Sequence, residues 1–458
     1  MLMRALSEDA LGDSRSLKPT DSLLGPFFNQ SATIRSIVAV ECRELWQPNE
    51  IDGLAESVLV QLVAEDSAVI EGESTLDRLA RQARERSSHI SGYDLLVLPA
   101  GALREMMTPP DRDFGFRAVA VLLTDISGEP DIPGGLDPGD WRLQRSLFDR
   151  GLICVGLAAL AGCKALCFLA SYAVRSFNCL HAESRGHITM SGFLQAAAFG
   201  NYLFRYACVK LYALRHGLTP GVPAWEGNRL FGLEDRPWEG PRFPVLSYPG
   251  FAQNDREIWE PDEPRINIDL IGYFQEIPAC WRSHRSLLRH LFELSPVHLE
   301  AIEAWRYAVT QGGRRTLVAV HVRRGNYIDL PGIPFFRLVP VDWYLDWLRA
   351  VWPTLCDPIL FVGTDTPAEI LPKFREFEMV SATFGQADEE LPDYVRDFEV
   401  LRRADYLAMC NSSFSRMAAI LAPPNQRCFL PSFAAQSFAP YEPWIDPGFW
   451  QRFASEDP

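Results

Sequence analysis

RRTLVAVHVRRGNY, residues 314 to 327, drives a run of branched apolar residues into an abrupt cluster of polar ones. The stretch from Arg314 to Arg323 is short and almost continuously hydrophobic, the pattern of a strand buried on both faces of a parallel sheet. Side chains alternate along an extended chain, so His321 and Arg323 fall on one side, and Gly325 turns the backbone. Ligands of open parallel sheets bind beyond the carboxyl ends of the strands, which is where this strand delivers its polar residues. A guanidinium there offers a planar fork of permanently charged donors, suited to a diphosphate. Taken alone, two arginines at a strand end are more often solvated or paired with carboxylates.

Two downstream segments repeat the arrangement. Pro358 to Gly363 (PILFVG) reads as a buried strand ending in Thr364-Asp365-Thr366. Tyr394 to Ala404 reads as a helix, Asp405 to Cys410 as a strand, and Asn411-Ser412-Ser413-Phe414-Ser415 as the start of a helix running to Leu421. Hydroxyls at a helix start cap it or hold phosphate oxygens, and one residue can do both. Upstream, His187 to Gly192 is a strand candidate, followed by a small-residue loop from Phe193 to Gly200. An amphipathic helix follows from Asn201 to His216. A Pro- and Trp-rich connection leads to Ile266 to Phe274, another strand, and to a helix carrying Trp281, Leu287, Leu288 and Leu291.

The N-terminal part reads differently. Residues 1 to 30 form a polar leader, and residues 31 to 180 an accessory α/β domain of unassigned role. Its strands are expected at Ser31 to Glu41, Val58 to Ala64, Tyr93 to Pro99 and Arg117 to Thr124, with a helix at Ser74 to Ser87 and a Gly- and Pro-rich loop at Ser127 to Asp140. Gly151 to Val174 is apolar for about the length of a membrane span. Its glycines and Lys164 favour instead a strand at Leu152 to Leu157 and a helix at Ala158 to Phe177, because a mid-span lysine alone costs roughly 2.5 to 3.5 kcal/mol on insertion. Peripheral membrane contact stays open.

With 458 residues the chain has room for two or three domains. Its formal net charge of -15 disfavours nucleic acid as a partner. A small anion remains accessible, since clustered arginines dominate within a Debye length of about 8 Å. The ten cysteines form no CxxC pair with zinc spacing, and Cys163 and Cys167 read as core packing. The N-terminus lacks the basic flank and apolar core of a secretory signal, so a reducing cytoplasm, including the inner membrane face, is the expected location.

HVRRGNY resembles the HxRRGDY motif of the α-1,2-fucosyltransferases of glycosyltransferase family 11. ADYLAMCNSSFSRMAAIL is similar to that family's NSSFS segment, INIDLIGYFQE to its DGYFQ region, and FGNYLFRYACVKLYALRHG to its GNQ start. The four occur in the family order across about residues 187 to 458. The resemblance implies an α/β chain of GT-B type with two Rossmann-like lobes, 187 to 310 for the acceptor and 311 to 458 for the nucleotide sugar. It also implies transfer of fucose from GDP-fucose to a glycan hydroxyl, through an α-1,2 linkage, with inversion and neither metal nor cofactor. Arg323 would hold the β-phosphate, His321 and Arg324 order the site, and Asp365 contact the nucleotide. Ser412, Ser413 and Ser415 would line the phosphates, while Gly200 and Asn201 form the acceptor-lobe junction. Asn326 stands where the family has Asp, and Arg416-Met417 replaces a tryptophan pair. Asp329 is the nearest carboxylate after the motif for the role of base, although a solvated loop aspartate is the commoner kind. A non-catalytic nucleotide-sugar-binding relative and a transferase with another donor sugar are the competing readings.

Overall fold

The computed structural model describes the strands between residues 36 and 122, then 145, 147–149, 151–160, 163–170 and 185–455. Within the last range, 196–197, 234, 249–254, 260, 262, 277–278, 331–332, 386–389 and 445–448 are excepted. The chain divides into two compact units, 1–186 with 213–219, and 187–212 with 220–458.

In the first unit, β1 (Ser36–Val40), β2 (Leu59–Val63), β3 (Tyr93–Pro99), β4 (Phe116–Leu122), β5 (Leu152–Leu160) and β6 (Cys163–Ala170) form one sheet in the order β2-β1-β3-β4-β6-β5. The first four strands are parallel, as their branched apolar runs predict. The helix expected at Ala158 to Phe177 is not formed over Cys163–Ala170. That segment is a strand, antiparallel to both β4 and β5, so Cys163 and Cys167 lie along a strand. Ala and Leu favour a helix only weakly, and a segment hydrogen-bonded on both edges satisfies its backbone groups as completely as a helix does. No helix among the described residues is long and apolar enough to cross a membrane. The expected helix at Ser74 to Ser87 and loop at Ser127 to Asp140 lie outside the described residues.

The second unit contains two sheets. β7 (His187–Thr189), β8 (Thr219–Gly221), β9 (Val245–Ser247) and β10 (Ile268–Ile271) make a four-stranded sheet, with β7, β10 and β9 parallel. After β7 comes α1 (Phe199–His216), whose apolar face is buried through Leu203, Ala207 and Leu211. Further on lie α2 (Arg285–Leu291) and α3 (Pro296–Val309).

The second sheet is built from β11 (Leu317–Val322), β12 (Ile359–Thr364), β13 (Met379–Val380), β14 (Tyr406–Ala408), β15 (Arg427–Ser432) and β16 (Ser437–Tyr441), in the order β13-β12-β11-β14-β15-β16. All neighbours are parallel except β15 and β16. Each residue of the central β11 is buried, which accounts for its unbroken apolar run. Val318, Val320 and Val322 pack with Tyr344 and Leu348 of α4 (Val341–Val351). α5 (Asp393–Arg403) precedes β14, α6 (Ser413–Leu421) follows it, and α7 (Phe449–Ser455) ends the described chain. Because β11, β12 and β14 run the same way, their carboxyl ends share one edge, with Val322 beside Thr364 and Val320 beside Ala408.

Candidate active site

That edge brings together most of the residues expected from the sequence. One step beyond the Val322–Thr364 pair, Arg323 Nη1 donates to Asp365 Oδ2 at 2.5 Å, and the Arg324 amide donates to Asp365 Oδ1 at 2.9 Å. Arg323 Nη2 donates to Asn326 Oδ1 at 2.7 Å, so both arms of the fork are anchored. Gly325 has φ +29, and a β-carbon there would collide with Asp365 Oδ2, which explains a glycine at this turn. Arg323 retains 32% of its side-chain exposure and Asp365 24%, so the pair sits at the rim.

The turn after β11 is tied to the start of α6. The Tyr327 ring lies 5.5 Å from the Arg323 guanidinium carbon, and its buried hydroxyl donates to the Asn411 carbonyl at 2.8 Å. Asn411 Nδ2 in turn donates to the Phe335 and Arg337 carbonyls at 2.8 and 2.9 Å, fixing the loop that follows the motif. Ser412 is the N-cap of α6, its hydroxyl accepting from the Phe414 amide at 3.3 Å. Ser413 opens the helix at the same mouth. Ser415 is fully buried, and its hydroxyl meets the Ser412 carbonyl at 3.5 Å.

His321 is buried beneath this surface, its Nδ1 3.2 Å from Cys410 Sγ and its ring 5.3 Å from that of Phe414. Burial, reinforced by the neighbouring Arg323 charge, pushes its pKa down to about 3, so the ring is neutral across the working range. Desolvation pushes the Cys410 thiol up to about 12. This is a packed, uncharged floor that supports the arginine turn, and Tyr344 secures it by donating to the His321 carbonyl at 2.8 Å. Asp329 is exposed, its amide donating to the Asn326 carbonyl at 3.2 Å.

Gly200 and Asn201 come from the other sheet's side of the same unit. A β-carbon on Gly200 would stand 2.6 Å from the Phe414 amide nitrogen, so the first turns of α1 and α6 abut. Gln275 Nε2 donates to Asn201 Oδ1 at 2.5 Å, and Arg416 Nη1 donates to the Gln275 carbonyl at 2.7 Å. Arg416 is wholly buried, 4.2 Å from the Phe449 ring centroid. Sequence reasoning missed Tyr327, Gln275 and Arg416 as site-building groups. Tyr327 was visible as the aromatic end of its motif, Gln275 lies in the INIDLIGYFQE segment and Arg416 stands at the replaced tryptophan pair, but no local signal gave any of them its contacts.

Among the solved structures this chain is similar to are fucosyltransferases. NodZ α-1,6-fucosyltransferase soaked with GDP-fucose matches at 17% identity, over 57% of this chain and 99% of that one, with a TM-score of 0.37. Fucosyltransferase NodZ from Bradyrhizobium matches at 18% identity, over 54% and 96%, with a TM-score of 0.34. A variant of Arabidopsis thaliana FUT1 in complex with GDP matches at 13% identity, over 55% and 70%, with a TM-score of 0.35. No family model and no curated protein matches the chain.

Proposed function

We propose that residues 187–458 form an inverting glycosyltransferase that moves fucose from GDP-fucose to a glycan hydroxyl, through an α-1,2 linkage. One observation carries the reading: the Tyr327 hydroxyl bonds to the Asn411 carbonyl and so holds the arginine turn after β11 against the capped start of α6. A rigid guanidinium and the positive end of a helix then serve one strand edge, the arrangement that stabilises a departing diphosphate. In this reading the unspent N–H groups of Arg323 take the β-phosphate, and Ser412 and Ser413 line the phosphates. Arg324 and the neutral His321 hold the turn in place. The acceptor hydroxyl attacks from the side of Gly200 and Asn201, and Asp329, the exposed carboxylate after the motif, takes its proton.

A second reading, a nucleotide-sugar-binding relative without catalysis, is favoured by Asn326, which presents an amide that is already engaged by Arg323. Calorimetric titration with GDP, UDP and ADP, followed by donor hydrolysis without acceptor, separates the two. Binding of GDP together with release of fucose is the outcome expected of the enzyme. Binding without turnover leaves the second reading, and preference for UDP removes the named donor.

A further inference from the structure

We infer that Asp365 is a positioning residue that acts on the ligand through Arg323, and does not itself recognise the nucleoside. The inference rests on the diphosphate reading of this site. Both carboxylate oxygens are engaged by the turn after β11, Oδ2 by Arg323 Nη1 at 2.5 Å and Oδ1 by the Arg324 amide at 2.9 Å. Asn326 Oδ1 takes the opposite arm of the fork at 2.7 Å. Two acceptors on opposite arms fix both the plane and the direction of the guanidinium. Two of its five N–H donors are spent, and Nε with one hydrogen on each Nη stays available for an anion.

Anchoring matters because a free arginine carries rotamer entropy that a ligand must otherwise remove, a penalty on the order of thirtyfold in affinity. The two anchors also differ in charge. Arg323 and Arg324 against Asp365 leave one net positive charge, and the amide of Asn326 holds its arm of the fork without cancelling that charge. A carboxylate at 326 would bring the cluster to neutrality. Collision of any β-carbon at Gly325 with Asp365 Oδ2 shows that the turn is shaped around this carboxylate.

The test is a double-mutant cycle on the full-length chain, with calorimetric titration of inorganic pyrophosphate, GDP and GMP into wild type, R323A, D365N and the double variant. If Asp365 works through Arg323, D365N weakens pyrophosphate and GDP binding by about tenfold, the scale of one charge-assisted hydrogen bond, and leaves GMP nearly untouched. In the R323A background the same change costs nothing or improves binding, because it removes a carboxylate left without its partner. Should D365N fold poorly, N326A attacks the other anchor and gives the same selective loss. Equal losses for GDP and GMP with pyrophosphate unaffected would place Asp365 on the nucleoside and overturn the inference. Tighter pyrophosphate binding by D365N would also overturn it, by making Asp365 a competitor of the phosphate. A wild type that binds pyrophosphate with no preference for GDP removes the donor reading and leaves the positioning role standing. A wild type that binds none of the three removes both.

Discussion

Two six-stranded sheets in this chain each have a parallel core, and among the described residues a candidate site is seen on the second of them. In the first unit the parallel strands β1 to β4 are closed on one side by the antiparallel pair β6 and β5. In the second unit β11, β12 and β14 deliver Arg323, Asp365 and Ser412 to one edge. A buried parallel strand is therefore a mounting for chemistry, and the few residues after its last ladder bond decide whether any is mounted.

The comparison breaks most visibly at Arg323. Arg323→Ala removes the charged fork and is expected to weaken GDP binding by about 100-fold; unchanged affinity in a titration would leave the two sheets functionally indistinguishable. Asn326→Asp keeps the hydrogen-bond geometry and cancels the net charge, for an expected loss of about tenfold, measured at low and at high salt because a charge effect shrinks as salt rises.

A pH series sharpens the contrast in stability. Burial pushes both His321 in the second unit and His216 in the first down to about 3. Each is neutral when folded and takes up a proton on unfolding below its ordinary value of 6.5. Stability is therefore fully present above about pH 6.5 and is lost as pH falls towards 3, by up to about 1.4 kcal/mol per pH unit for each ring. His321→Asn should remove one such slope from thermal melts and His216→Asn the other; a variant melting curve with unaltered acid sensitivity would contradict its burial. The smallest expected effect is in the first sheet, where Lys164→Ala in β6 should change GDP affinity by less than about twofold. A larger loss there would mean that the first sheet takes part in binding.

The sequence is most informative where a short range decides the structure. β11, β12 and β14 are readable because strands buried on both faces must be apolar throughout, and the start of α6 because a serine cap has a local signature. The pairing of Arg323 with Asp365 is not readable in that way. It depends on the register that sets Val322 beside Thr364 across 42 positions, and no spacing rule reports register between distant parallel strands. For the same reason the engagement of both Asp365 oxygens by a neighbouring turn is not legible in the sequence, where the resemblance alone implies a nucleotide contact for this residue. β6 fails for the opposite reason: its composition favours a helix by a small margin, and strands on both edges override that margin. Arg416 is a charged residue on an apolar helix, and only the enclosure by Phe204 and Phe449 reveals it as interior.

The abutment of Gly200 on Phe414 has a mechanical side. Two helices there press their amino ends together, and each end carries roughly half a positive charge, so the seam repels itself. It is stitched by Gln275 reaching to Asn201 and by Arg416 reaching back to Gln275. A negative group arriving beside this closed seam would relieve the repulsion from both sides at once. Occupancy should therefore slow amide hydrogen exchange in the opening turns of α1 and α6 together, as though a single bolt had been tightened.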